Sequence, residues 1–266
     1  MVLLLIRLEE KLKNLKDKSQ KALVAYLVAG DPDLDTSLEL MHGFVEAGVD
    51  ILEIGVPFTD PIAEGPIIQA SHDRSLKNQT TLEKIFNLVE QFRKTDSETP
   101  IILMGYVNTF LAYKNELQSI HHRGTDALLI VDIPGESQLQ DVGIINDKIA
   151  SISLVSPTTE ADRVTKICYA STGFIYYVTL RGVTGASNIN PAEVQQNIEM
   201  IRSNTSLPVL AGFGIKTAED ARTLSILSDG VIIGSVLVEM IYQAGENKDY
   251  KKIYNYLNEI SQAINL

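Results

Sequence analysis

Eight apolar, strand-like runs alternate with amphipathic helical stretches along 266 residues, and no low-complexity linker interrupts the rhythm. These two observations predict an α/β chain folded as one (β/α)8 barrel, a TIM barrel, over residues 1–266. A doubly wound parallel sheet is the other architecture that such alternation allows. An extra helix ahead of the first strand and a short helix after the eighth complete the expected plan.

The chain opens MVLLLIRLEEKLKNL, in which the apolar run spans five residues with no basic region ahead of it. It reads as an amphipathic first helix rather than a signal peptide. Residues 22–29, ALVAYLVA, form a continuous apolar strand that Gly30-Asp31-Pro32 ends. Leu34, Leu38, Met41 and Phe44 then recur at helical spacing, with Gly48 closing the helix. Ile51, Leu52, Ile54 and Val56 make the second strand, and a turn-rich loop runs from Pro57 to Pro66. Thr80 or Thr81 caps a helix through Phe92, with Leu82, Ile85, Phe86 and Val89 on one face. Residues 101–106, 127–131, 149–155, 174–178, 209–210 with their neighbours, and 230–233 supply the remaining strands, and 217–227 and 250–264 supply later helices.

Composition removes several function classes. A net charge of −11 argues against a nucleic-acid binder, which would carry basic stripes. Cys168 is the only cysteine, which excludes a disulfide framework and fits a reduced, cytoplasmic setting. His42, His72, His121 and His122 are scattered, so no metal site is expected. No run approaches the roughly 18 apolar residues that a membrane span requires.

Three stretches carry chemistry. Glu53 lies inside the apolar second strand, where an anion is costly unless something pairs or uses it. A structural ion pair is the plain alternative. Asp60 and Glu64 follow it beyond the strand's C-terminal end, the end at which barrels place their active sites. Gly212-Phe213-Gly214 after strand seven and Gly234-Ser235 after strand eight stand where this fold often binds phosphate. Glycines there let backbone N–H groups approach an anion, and a helix start adds a favourable dipole. Each short motif also serves as an ordinary turn or cap. Together they point to a phosphorylated small molecule. Residues 180–191, LRGVTGASNINP, form a long polar loop suited to a lid.

The ordered motifs resemble the tryptophan synthase alpha chain family across nearly the whole chain. They are YLVAGDP at 26–32, LEIGVPFTDPIAEGPIIQ at 52–69, LMGYVN at 103–108, IVDIP at 130–134, SPTT at 156–159, RGVTGA at 181–186, GFGI at 212–215 and GS at 234–235. The resemblance implies retro-aldol cleavage of indole-3-glycerol phosphate to indole and glyceraldehyde 3-phosphate. It makes Glu53 the acid/base and Glu64 the carboxylate that accepts the indole N–H proton. Tyr26, Met104, Tyr176 and Phe213 would line the indole pocket, although such residues are otherwise most simply core. Gly185, Gly214, Gly234 and Ser235 would hold the phosphate, and Thr184 would close over the site and orient Glu64.

The same resemblance implies an αββα complex with a beta chain, reached through Pro57, Asp60 and the lid loop. Pyridoxal phosphate would belong to that partner, and this chain would carry no cofactor. Two departures from the family pattern stand out. Glu64 replaces the family's usual aspartate, and Thr179-Leu180-Arg181 replaces a Ser-Arg ahead of GVTG. The first leaves a second reading open, a catalytically weak subunit that acts mainly as an allosteric partner of the beta chain. A different phosphosugar barrel enzyme, such as an isomerase or epimerase, would lack the paired carboxylates and aromatic pocket.

Overall fold

Short, buried strands set the architecture. The computed structural model describes residues 7–178, 191–212, 214–247 and 249–266. Its strands are β1 (Ala22–Val28), β2 (Ile51–Gly55), β3 (Ile101–Gly105), β4 (Ala127–Ile130), β5 (Ala150–Ser151), β6 (Ser153–Val155), β7 (Ile175–Val178), β8 (Val209–Gly212) and β9 (Gly230–Ile233). All pairings are parallel, in the order β5-β4-β3-β2-β1-β9-β8-β7-β6. The two ends of that order, β5 and β6, are separated in sequence by Ile152 alone. They are halves of one strand, so the sheet closes as an eight-stranded TIM barrel and the doubly wound alternative falls away.

Alternate residues divide the strands between two cores. Val24, Ile51, Ile102, Leu129, Ile152, Phe174, Leu210 and Ile232 fill the barrel interior. Leu23, Leu27, Leu52, Ile54 and Leu103 face the surrounding helices. Those helices are α1 (Arg7–Asp17), α2 (Leu34–Glu46), α3 (Pro66–Lys77), α4 (Leu82–Phe92), α5 (Val107–Leu111), α6 (Lys114–Leu117), α7 (Ala161–Ala170), α8 (Pro191–Arg202), α9 (Ala218–Leu227), α10 (Ser235–Ala244) and α11 (Lys251–Ile264). Their starts follow from capping chemistry. Asp33 accepts the Thr36 N–H at 2.6 Å, Thr81 caps α4, and Thr217 with Asp220 forms a reciprocal capping box on α9.

Three local expectations shift. The strand expected over 101–106 stops at Gly105, and Tyr106 becomes the N-cap of α5. The strand over 149–155 is interrupted at Ile152. Helix α3 has no counterpart in the sequence reading, because its buried positions are Ser71, His72 and Ser75 and leave no apolar period to detect.

The N-terminal end of the barrel is closed by α1. Leu8 and Leu12 are buried against the same cluster that fills the barrel. One polar device recurs around this rim, ahead of the second, fourth, sixth and eighth barrel strands. Asp50, Asp126, Thr172 and Asp229 each donate a backbone N–H to a residue of the preceding strand and accept that residue's N–H on the side chain. The accepted donors are Leu23 at 3.0 Å and Ile101, Ser151 and Val209 at 2.8 Å. Backbone groups that the ladder leaves open at the rim are thereby paired.

Asp126 does more than its three counterparts. Its carboxylate also meets Arg7 and Arg93, each at 2.9 Å, which ties α1 and α4 to the barrel floor. Burial nevertheless pushes the Asp126 carboxyl above its ordinary range and the Arg93 guanidinium down to about 10. Desolvation therefore offsets much of the attraction, and the network is more costly to break than it is net stabilising. Asp126→Ala should destabilise the fold by about 3–5 kcal/mol, because the largely buried Arg93 guanidinium and the partly exposed Arg7 lose the carboxylate they share. Urea denaturation checks this, and a loss below about 1 kcal/mol would mean that Leu8 and Leu12 dock α1 unaided.

Candidate active site

The opposite end of the barrel carries the loops that follow the strands. A cavity of about 150 Å³ is walled by Tyr26 from β1, Glu53 from β2, Met104 from β3, Leu154 from β6, Tyr176 from β7 and Ile232 from β9. Glu64 and Ile68 close one side, and Gly214, Gly234 and Ser235 form the rim. A wider cleft of about 520 Å³ lies at the α1 end, between Leu12, Lys16, Arg202 and Pro208. Its acid, Asp229, is already paired with Arg202 and the Val209 N–H. The smaller cavity is the one with unspent chemistry.

Glu53 is placed by register. It pairs with Tyr26 on one side and Ile102 on the other, and its side chain points inward with that of Ile51, two residues earlier. Only 2% of it is exposed, and its Oε1 has no hydrogen-bond partner. Among the described residues, the structural ion pair that is the plain alternative for this residue does not form. Burial pushes its carboxyl up to about 8, with a further rise from the nearby charge of Glu64. Glu64 is half-buried, and burial pushes it up to about 7. Near neutral pH the first carboxyl is mostly protonated while the second divides between its two forms. A donor and an acceptor thus share one cavity.

The tyrosines depend on glycines one strand away. A Cβ on Gly55 would collide with the Tyr26 hydroxyl, and one on Gly212 would lie 2.7 Å from the Tyr176 hydroxyl. Burial holds both phenols well above their ordinary range, reinforced for Tyr26 by Glu64 and then Glu53, and for Tyr176 by Glu53 and then Glu64. They remain neutral and supply flat, largely apolar walls.

Among the rim residues, Gly214 has φ +77°, in the left-handed region that favours glycine. Gly234 is the N-cap of α10 and makes no side-chain cap bond, so the N–H groups of the first turn, beginning at Ser235, face the opening as any helix start does. Backbone donors and a helix dipole at that end suit an anion.

Of the site residues expected from sequence, Glu53, Glu64, Tyr26, Met104, Tyr176, Gly214, Gly234 and Ser235 all border this cavity. Thr184, Gly185, Phe213 and nearly all of the lid loop lie outside the described residues. On the loop after β2, Pro57 is buried, whereas Asp60 is exposed and accepts the Thr59 hydroxyl at 2.7 Å. The sequence reading did not single out Val131, Leu154 or Ile232. Each is the last inward-facing residue of its strand or the one just beyond it, so the phase of the period-two alternation marks them. Among the described residues, no cluster of His, Cys, Asp or Glu could hold a metal, and no helix is long and apolar enough to cross a membrane.

Comparison with known proteins agrees with this geometry. The family model described as tryptophan synthase alpha chain matches residues 12–265. The tryptophan synthase alpha chain of Marinobacter nauticus is 41% identical over 257 residues, spanning 96% of this chain and 94% of that protein. The same-named protein of Neisseria meningitidis is 43% identical over 229 residues, spanning 83% and 86%. The crystal structure of tryptophan synthase subunit alpha from Legionella pneumophila superposes with a TM-score of 0.89 at 37% identity, covering 98% of both chains. With family model, relatives and barrel in agreement, the chain belongs to the tryptophan synthase alpha chain family.

Proposed function

We propose that this chain cleaves indole-3-glycerol phosphate to indole and glyceraldehyde 3-phosphate, as the alpha subunit of a cytoplasmic tryptophan synthase. Family membership supports the reaction. The observation that carries the residue assignment is Glu53, a buried carboxyl group with an unpartnered oxygen that faces a second acid across an apolar cavity.

The chemistry follows from the two titrations. Protonated Glu53 gives its proton to C3 of the indole ring while Glu64 takes the proton from the ring nitrogen. The ring becomes an imine-like electron sink. Glu53, now a carboxylate, removes the proton of the adjacent glycerol hydroxyl. As the carbonyl forms, the carbon–carbon bond breaks, its electron pair restores the ring double bond, and Glu64 returns a proton to nitrogen. Tyr26, Met104 and Tyr176 sandwich the indole, and Gly214, Gly234 and Ser235 receive the phosphate. Thr184, Gly185 and Phe213 join them on the strength of the family resemblance.

A beta chain carrying pyridoxal phosphate is the partner in the same reading, in an αββα assembly. The loop that holds Pro57 and Asp60 supports this, since it also presents Ile62 at 83% exposure beside the catalytic opening. An apolar side chain so placed is suited to burial against another subunit.

Indole release should be abolished, by at least about a hundredfold in kcat, in Glu53→Gln. Retained turnover would remove Glu53 from the reaction. The variant should also change stability in a defined direction. The folded-state pKa of Glu53 is raised, so its favourable contribution is present below its unfolded value of 4.5 and is lost as pH rises through about 8. Thermal melts at pH 8.5 should therefore show Glu53→Gln to be more stable than the parent, on the order of 1–3 kcal/mol, with the difference shrinking toward pH 5.

The pH profile of kcat/KM should be a narrow bell. Its acid limb lies near 7, where Glu64 loses its capacity to accept, and its alkaline limb near 8, where Glu53 loses its proton. A profile flat from pH 6 to 9 would contradict this assignment. Glu64→Asp separates the lyase from the weak-subunit reading. If the backbone is already set for the longer acid, the shorter one should lower kcat/KM by about ten- to a hundredfold. A rise would mean that Glu64 limits the enzyme and would favour the allosteric role.

A further inference from the structure

Glu64 has no strand to hold it. It stands on the loop between β2 and α3, and three neighbouring side chains fix that loop through its backbone. His72, on α3, accepts the Phe58 N–H on Nδ1 at 3.0 Å. Gln69, almost one helical turn earlier, donates to the Glu64 carbonyl at 2.8 Å. Tyr106, at the end of β3, accepts the Ala63 N–H on its hydroxyl at 3.0 Å. Tyr106 also touches the first part of the loop, so one side chain holds it at Phe58 and at Ala63. The Phe58 ring stacks on the Tyr106 ring with centroids 4.8 Å apart and planes 20° from parallel.

Two of the three side chains of this bracket are buried polar groups, and Gln69 is exposed. His72 is 2% exposed and Tyr106 1%. The Nδ1 of His72 accepts a hydrogen bond, so it carries no proton, and Nε2 is enclosed without a partner. A helix that packed for stability alone would place an aliphatic side chain at this position; α3 instead buries Ser71, His72 and Ser75. Such placement is costly unless it serves the loop it grips. The loop, in turn, carries an acid with one more rotatable bond than aspartate, for which a fixed backbone matters more.

We propose that His72 and Tyr106 are positioning residues, which hold the Phe58 and Ala63 amides so that the Glu64 side chain enters the cavity beside Glu53. The proposal rests on Glu64 being the catalytic acceptor, as argued above. Misplacing a catalytic group by about 1 Å can cost on the order of a hundredfold in rate.

The test measures indole release from indole-3-glycerol phosphate by the full chain with a beta chain present, for Tyr106→Phe, His72→Leu and His72→Asn. Tyr106→Phe keeps the ring and its stack and removes only the acceptor. It should lower kcat by about ten- to a hundredfold with KM changed less than about threefold. His72→Leu should behave alike, whereas His72→Asn should recover most of the loss, because its Oδ1 sits the same number of bonds from Cβ as Nδ1 and accepts the same N–H. In a Glu64→Gln background, residual turnover read over long incubation should fall less than about threefold on adding Tyr106→Phe, since no acceptor is left to position. Should His72→Leu not fold, Tyr106→Phe carries the test. A kcat for Tyr106→Phe within about twofold of the parent, or an equal loss in the Glu64→Gln background, would overturn the proposal. Full turnover by Glu64→Gln would overturn its premise as well, whereas an inactive Glu64→Gln beside an unaffected Tyr106→Phe would overturn the positioning alone.

Discussion

An unpaired carboxyl group in the wall of a barrel is the constraint around which the catalytic end is arranged. Glu53 reaches the interior because strand alternation leaves it no other face. Once there it cannot ionise at the ordinary pH without charge buried in an apolar lining, so it keeps its proton to about 8. The groups around it respect that condition. Tyr26 and Tyr176 stay neutral, Met104, Leu154 and Ile232 are apolar, and Glu64, the other acid among the described residues of the wall, is itself raised to about 7. No cation neutralises the pair from the described residues of that wall.

The two ends of the barrel divide stability and chemistry. At the N-terminal rim Asp50, Asp126, Thr172 and Asp229 each satisfy a backbone amide, and Arg7 and Arg93 converge on Asp126. At the C-terminal end, among the described residues, an acid oxygen has no partner and the start of α10 has no side-chain cap. That asymmetry follows from parallel strands. Their C-terminal ends and following loops gather on one side, where side chains from several strands converge, while α1 occupies the other. Polar groups are affordable at the floor because they pair, and at the top because a ligand can complete them.

Much of this organisation was legible before any coordinates. Apolar runs between turn signals located nearly every strand within a residue or two. The carboxyl at position 53 stood out as an acid in an apolar run, and the glycines at 214 and 234 as turn residues at strand ends. Helix α3 was not legible, since its buried face is serine and histidine and periodicity reports only apolar burial. For the same reason His72 passed as one of four scattered histidines, and Tyr106 as the last residue of a strand. Both act through backbone amides of a loop, and sequence spacing contains nothing about which amide a distant side chain will meet.

The sequence by itself determined the α/β class, the strand positions and the family, and its resemblance to that family singled out the two acids, because each depends on local pattern or on ordered motifs. Tertiary structure alone decided that β5 and β6 are one strand closing the barrel, and that the Glu53 Oε1 finds no partner among the described residues. It also decided that the Glu64 loop is held from α3 and β3. These are contacts between segments far apart in the chain. Their occurrence depends on barrel curvature and strand register, and the resulting burial sets both titrations, none of which any single stretch of sequence encodes.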